Sequence, residues 1–498
     1  MSNLFAEPTR QSPVAIILLI YKYFINIIRQ FWPAIIAVFI GQRSGNVSNL
    51  ILISVIVVAV SALIFAIASY LRFSFKVQGD ELFIEKGVFK KSKLNIPFER
   101  IQTLNFEQGL LHQIFDVVRI EVDTAGSAKN EFSFNAIQKN LAEELRTLIL
   151  ERKTEIEVVE PSEQAEDLPI KEELKTIFSL DLKDLFIVGL TQNHLRTLVL
   201  LFFFALWGMG ELSDAGFDLD WINKESATAL IESGVVIILS LVFILLILII
   251  LGTAIRTILT YYEFKMFRTD KGFKIQSGLL NRKEYAALDY KIQQIKWVNN
   301  PLKRIFKIHH LQLKQASSIA VSSKKSIKVP GINLSKINEI VKYLFRDKNN
   351  YSELETHKIS VLYLYRNLAY IGILPWVIIF GMVFYITNRP ESYFILLAIP
   401  YFSITTWFAY RKWAFRINDD LIYTHHGIFE NKNNLVQLYK IQNVQIHQSP
   451  FQWRRNLANI RMFTAAGSVL IPYVKYEEAL KIKDLVLYQI ETNELKWY

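Results

Sequence analysis

The sequence predicts an α+β membrane protein made of three copies of one module. Each module is a transmembrane helical hairpin followed by a small β-rich domain that ends in a helix. Three observations predict this. Long apolar runs come in pairs, each pair precedes a segment of short alternating runs, and the three segments share one spaced pattern around an Ile-Gln dipeptide.

The apolar pairs fall at 14–41 and 49–71, at 195–210 and 234–259, and at 367–387 and 393–410. Residues 49–71 and 234–255 carry no charge, and about 20 apolar residues suffice to cross the hydrocarbon core of a bilayer. A soluble helix of this length would show a polar stripe. The first run of each pair has a mixed lead-in, with Lys22 and Arg29, His194 and Arg196, or Arg366. Such a helix starts at the membrane surface and holds its basic groups at headgroup depth. Basic residues gather where the hairpins open, whereas the tip at 211–226 is mostly acidic. The positive-inside rule then puts the tips outside and the remainder in the cytoplasm. The expected hairpins, six helices in all, are 14–71, 186–259 and 361–410.

Soluble segments follow at 72–152, 260–346 and 411–491, with an acidic linker at 153–185 and a second linker at 347–360. Each segment begins with alternating runs broken by turn residues, such as ELFIEKGVF (81–89) and DLIYTHHGIF (420–429), which read as strands. Each ends in a helical pattern, at 136–150, 333–345 and 476–490.

The three segments align on FERIQTLNF (98–106), DYKIQQIKW (289–297) and LYKIQNVQI (438–446). With Ile101-Gln102, Ile292-Gln293 and Ile441-Gln442 in register, Gly87, Gly278 and Gly427 stand fourteen residues upstream. Each follows a β-like run, as a turn or bulge that needs glycine would. Downstream come a polar-Gly/Pro-apolar slot, reading as a turn into a short helix, and the strand ends TAGS, QASS and TAAGS. Such internal repetition defines the fold unit. Ile101, Ile292 and Ile441 are expected to point into a small core. By strand alternation, Arg100, Lys291 and Lys440, and Gln102, Gln293 and Gln442, are expected to face outward.

These motifs together resemble bacterial pleckstrin-homology (PH) domain membrane proteins of the YdbS/YdbT-like group. The resemblance covers all three soluble segments and the hairpin-plus-domain order. The middle copy departs most, with Asn300-Pro301 in the place of Gln108-Gly109. The resemblance implies PH-like domains, each a bent antiparallel sheet or small β-barrel closed by a C-terminal helix. It also implies a bacterial inner membrane, and a smaller single-PH-domain membrane relative as a partner.

Composition narrows the function. The net charge is +11, with 57 Lys and Arg against 46 Asp and Glu, which suits an anionic partner. The basic excess sits beside the spans, so anionic lipid is expected and nucleic acid is not. Candidate membrane-facing residues are Lys76, Lys90, Lys91, Lys93, Lys265, Arg268, Arg282, Lys283, Arg411, Lys412 and Arg416, each worth about 1 kcal/mol near an anionic leaflet. There is no cysteine, which excludes disulfides and thiol chemistry. No phosphate loop, nucleophile elbow, zinc-protease or dinucleotide motif occurs. The His309-His310 and His425-His426 pairs share no repeat slot, so no metal, cofactor or catalytic residue is expected. The expectation is a non-enzymatic scaffold for lipid or protein interaction, through self-association or that smaller relative, in envelope maintenance or stress tolerance. The alternative is a transporter or channel-like component formed by the six spans, although their apolar halves lack the ionisable groups coupled transport uses.

Overall fold

The computed structural model describes residues 5–40, 47–88, 90–124, 132–159, 175–194, 227–316, 326–345 and 351–492. The expected span at 195–210, the acidic tip at 211–226 and residues 160–174 of the linker at 153–185 lie outside these residues. Two compact units divide the chain, Met1–Lys175 with Met266–Ala286, and Thr176–Lys265 with Ala287–Tyr498. The division falls inside the second copy of the repeat, within its third strand.

In the first unit, α1 (Val14–Ile40) and α2 (Val47–Leu71) pack side by side. The first copy of the domain follows as β1 (Ser74–Gln78), β2 (Glu81–Lys86), β3 (Ser92–Pro97), β4 (Ile101–Gln108), β5 (Val117–Thr124) and β6 (Phe132–Gln138), closed by α3 (Lys139–Val159). A 3-10 corner at Phe98–Arg100 joins β3 to β4, and a helical turn at Leu110–Ile114 joins β4 to β5. Alternation decides which side chains turn inward: Leu82 and Ile84 on β2, and Ile120 and Val122 on β5, are buried. Phe73, Phe75, Phe132 and Phe134 meet with ring centroids 4.8–6.4 Å apart. Ala142, Leu145 and Ile149, at helical spacing on α3, cover this core. Phe5 joins the core from the N-terminal segment, where Thr9 bridges to Phe75 on β1. The domain seats on its own hairpin through Ala15 and Leu18 of α1 against Val117 and Ala136.

The second copy contributes β7 (Lys265–Thr269), β8 (Gly272–Ser277), β9 (Arg282–Leu288), β10 (Ile292–Asn299), β11 (Ile308–Gln315) and β12 (Ser326–Asn333). Its helices are α4 (Leu182–Leu190), α5 (Ala227–Tyr261) and the closing α6 (Leu334–Phe345). In the second unit α4 lies tightly on α5, where a Cβ on Gly189 would come within 2.5 Å of Ala254 Cα. Asn300 Nδ2 donates to the Thr191 carbonyl just past α4.

The third copy has α7 (Leu362–Thr387) and α8 (Pro390–Lys412). It continues with β13 (Ala414–Ile417), β14 (Leu421–His426), β15 (Asn431–Gln437), β16 (Ile441–His447), β17 (Leu457–Thr464), β18 (Gly467–Lys475) and α9 (Tyr476–Thr492). α7 contains a π-helical stretch at Leu368–Ile373 immediately before Pro375. Proline lacks an N–H and crowds the preceding turn, and the wider turn accommodates it. The core repeats that of the first copy: Phe415, Ile422, Val436, Ile441, Ile460 and Ile471, covered by Ala479, Ile482 and Val486 of α9.

By length and composition, Phe243–Tyr261, Leu362–Thr387 and Pro390–Lys412 are long and apolar enough to cross a membrane; the stretches Val14–Asn26 of α1 and Ala59–Leu71 of α2 are apolar as well.

Candidate functional site

The repeats are joined through their sheets. β4 of the first copy pairs antiparallel with β9 of the second, within the run β6-β5-β4-β9-β8-β7. β10 of the second copy pairs in the same way with β15 of the third, within the run β12-β11-β10-β15-β14-β13, beyond which the two-residue strand His357–Lys358 pairs with β13. In each joint the fourth strand of one copy meets the third strand of the next. The register is conserved: Gln108 faces Arg282 and Asn299 faces Asn431, and both lie four residues after the Gly278 or Gly427 slot.

That slot is glycine for a local reason. Gly87, Gly278 and Gly427 have φ of +110°, +108° and +133°. A Cβ on them would approach the carbonyl oxygens of Lys90, Asn281 and Glu430 to 2.0, 2.1 and 1.8 Å. Only glycine fits both the angle and the space, and the turn it makes aims each third strand at its neighbour.

The first joint is charged. Lys283 Nζ lies 3.5 Å from Glu107 Oε1, and the Tyr285 hydroxyl donates to the same oxygen at 2.8 Å. Arg146 of α3 and Lys274 of β8 both reach Glu284 at 2.8 Å. Burial pushes the Glu284 carboxyl up, but the hydrogen bond and charge of Lys274, with Arg146, outweigh it and hold the group below its usual range.

The second joint is mostly neutral and more enclosed. Trp297 rests on Tyr423 and Tyr351, at centroid distances of 5.8 and 5.7 Å. Asn433 Nδ2 donates to the Trp297 carbonyl, while Asn433 Oδ1 accepts from Tyr423. Gln294 Nε2 crosses to the TAAGS turn, donating to Thr464 Oγ1 at 2.9 Å and the Gly467 carbonyl at 3.0 Å.

Lys440 of the repeated K-I-Q triplet closes this joint. It is 3% exposed, and its Nζ donates to the Ile292 carbonyl at 2.5 Å and the Asp289 carbonyl at 3.4 Å. Both acceptors belong to the corresponding corner of the preceding copy. Burial pushes the ammonium down to about 8, opposed only by the Asp289 charge.

Two parts of the outward-facing expectation are corrected here. Lys291 (4% exposed) and Gln293 (2%) are buried, as is Lys440, while Arg100 and Gln442 are exposed. Strand alternation reports which face leaves a domain's own core; it cannot report that the next copy covers that face. The side chain of Gln102 lies outside the described residues. Ile101, Ile292 and Ile441 are buried in their cores as expected.

The basic residues singled out beside the spans divide into two groups. Lys90, Lys91, Lys265, Arg282 and Arg411 are exposed. Others have work inside the protein. Arg416 bonds the Tyr351 and Ser352 carbonyls, Lys412 bonds the Ile428 carbonyl, and Arg268 bonds Gly272 and covers Phe273. Lys93 pairs with Glu85, Lys76 lies over Phe83, and Lys283 serves the first joint. The histidine pairs lie within the sheets, where His309 meets Asn299 and His425 meets Asn433.

Among the described residues the two outer edges have no such partner. β3, the third strand of the first copy, ends the order β1-β2-β3, and β16, the fourth strand of the last copy, begins β16-β17-β18. In β10, whose edge is filled, Ile292, Gln293, Gln294, Ile295 and Trp297 are buried. In β16, Gln442, Asn443, Gln445 and His447 are exposed. Arg100 stands in the Lys440 slot beside the open edge of β3, exposed and without a hydrogen bond or ion pair among the described residues.

A chain of triplicated domains, each on an apolar helical base and sharing one corner motif, is a membrane-anchored tandem array of PH-like modules. The Bacterial PH domain family matches it three times, over residues 23–153, 227–348 and 368–490, and the chain belongs to this family. It is similar to the UPF0699 transmembrane protein YdbT of Bacillus subtilis (strain 168), with 24% identity over 99% of each chain. It is also similar to the UPF0699 transmembrane protein YdbS of the same organism, with 29% identity over 77 residues, 16% of this chain and 48% of that relative. The chain is a membrane protein with internally repeated PH domains.

Proposed function

We propose that the protein is a non-enzymatic scaffold that joins PH-like modules edge to edge beneath a membrane, with its two outer edges open to a PH-like module of another chain. Six helices in three hairpins anchor it in a bacterial inner membrane, with the domains on the cytoplasmic face. The observation that carries this reading is that both inner third-strand and fourth-strand edges are occupied by a neighbouring copy, whereas β3 and β16 carry the same edges unoccupied among the described residues. An unpaired strand edge is a template for another strand. A second copy of this chain offers both complementary edges, and a smaller relative with one PH domain offers the same pair.

The joints fix the expected register. Lys296 faces Asn434 in the second joint. The same slots are Gln445 on β16 and Leu94 on β3. The natural chain has no cysteine, so introduced thiols report only on themselves. Chains carrying Leu94→Cys, mixed in mild detergent with chains carrying Gln445→Cys, should form an oxidised dimer, because directly opposed strand residues lie within disulfide reach. Absence of the dimer, with only monomer recovered by affinity capture, would exclude self-association through these edges.

A further inference from the structure

The second unit contains a cleft of about 430 Å³, a volume that suits a small ligand. It is lined by Gln294, Lys296 and Asn434 of β10 and β15, by Lys314 of β11, His426 of β14 and Ser468 and Leu470 of β18. Tyr363 and Arg366 from the first turns of α7, and Trp413, the residue after α8, line it as well. Among the described residues no carboxylate lines it.

The cations are held in place without being neutralised. Arg366 stacks over Tyr363 and Tyr473 at 5.4 and 4.9 Å, and its Nε and Nη2 donate to Asn367 Oδ1. Lys314 Nζ spends one donor on Gln294 Oε1 at 3.3 Å. Lys296 makes no ion pair among the described residues; Glu430 acts on it weakly, behind Lys314 and Lys432. Burial pushes both lysines down from their ordinary range, and Lys314 and Lys432 push Lys296 further. His426 stacks on Trp413 at 5.2 Å, and its buried Nδ1 has no hydrogen-bond partner among the described residues. Positive groups gathered in a partly desolvated cleft repel one another and raise the energy of the empty protein. An oxyanion would meet Arg366, Lys296 and Lys314 together with the amide of Asn434 and the Ser468 hydroxyl, so that charge-assisted hydrogen bonds replace repulsion.

The span-end residues in the lining select the source of the oxyanion. Tyr363 and Arg366 open α7, and Trp413 follows α8; both helices are long and apolar enough to cross a membrane. Residues at such span ends sit at headgroup depth, where Trp, Tyr and Arg are favoured. We propose that this cleft binds the phosphate headgroup of an anionic phospholipid in the leaflet nearest the domains. The proposal rests on the cleft and the span ends alone; it is independent of the pairing at β3 and β16.

The test uses the full chain, purified in mild detergent and reconstituted in phosphatidylcholine nanodiscs with or without added phosphatidylglycerol, which gives the bilayer a negative surface. Native mass spectrometry should show phosphatidylglycerol retained on the wild-type chain. Lys296→Gln/Lys314→Gln should lower retention at least about tenfold, since each headgroup contact is worth about a kilocalorie per mole. Lys296→Arg/Lys314→Arg should keep it. The Gln variant should unfold at the wild-type temperature or above in neutral lipid, because it loses a repulsion and no ion pair. Equal retention by wild type and the Gln variant would overturn the proposal. So would a saturable rise in unfolding temperature with inorganic phosphate that the Gln variant abolishes while lipid retention is unchanged, which would assign the cleft to a soluble anion.

Discussion

Lys440 and Arg100 stand at the same place in two copies of one repeat and have opposite surroundings. Lys440 is buried and donates to two carbonyls of the preceding copy. Arg100, in the first of the three copies, is exposed. β10 and β16 give the same contrast from the other side: one fourth strand is covered by its successor, and the other, last in the series, is bare. The environment of a residue in this protein is therefore set by the rank of its copy as much as by the motif. The K-I-Q triplet combines an intradomain duty, in the isoleucine, with an interdomain duty in the lysine.

The largest effect should come from reversing the charge at these matched positions. Lys440→Glu aims a carboxylate at the Asp289 and Ile292 carbonyls in a dry joint and should cost on the order of 3–5 kcal/mol. Arg100→Glu, on an open surface, should stay within about 0.5 kcal/mol. Thermal unfolding of the detergent-purified protein checks both, and equal losses would erase the distinction between filled and open ends.

The glycine slot should ignore rank, because its turn is internal to each copy. Gly427→Ala and Gly87→Ala should each cost about 2 kcal/mol or more, through positive φ and collision with a carbonyl. A much smaller loss at Gly87 would mean that the neighbouring copy, and not the turn, imposes the requirement. The third strand-face position sharpens the contrast at lower amplitude. Gln294→Ala removes two donors from the TAAGS turn and should cost about 1–2 kcal/mol, with faster amide exchange at Gly467 and Ser468. Asn443→Ala, the matching change on the bare strand, should leave exchange unaltered.

The smallest effect is one of pH. The Lys440 ammonium titrates near 8 in the folded protein, against an ordinary value of 10.5. Between these values the unfolded chain keeps a proton that the folded chain has released, so stability rises with pH. The gain should be roughly 1 kcal/mol from pH 7 to pH 9, nothing below that, and absent in Lys440→Met. A slope of the opposite sign would mean the ammonium is stabilised in the joint.

Much of the domain was readable because it is local. The glycine offset, the helical turn after the fourth strand, the buried Ile101, Ile292 and Ile441 and the closing helices follow from patterns within a few residues of each other. The joints were not readable. Alternation sends Lys440 away from its own core, and nothing near it announces the two carbonyls of another copy that receive it. The recurrence itself was the available signal: the Lys-Ile-Gln corner and the TAAGS turn return together because the corner of one copy and the turn of the next share a joint. Lys296 and Lys314 gave no sign at all, since strand pairing alone brings them beside a tryptophan and an arginine from the span ends.

The displaced joint has a consequence for synthesis. β4 is translated long before β9, and β10 before β15, with apolar helices between them each time. A ribosome therefore releases each copy with one sheet edge unfinished, and the next copy completes it from behind. The chain grows with a direction, like a strip in which every tile carries the tongue for the tile before it. β3 carries the same tongue and β16 the same groove, each without a partner strand from another copy among the described residues.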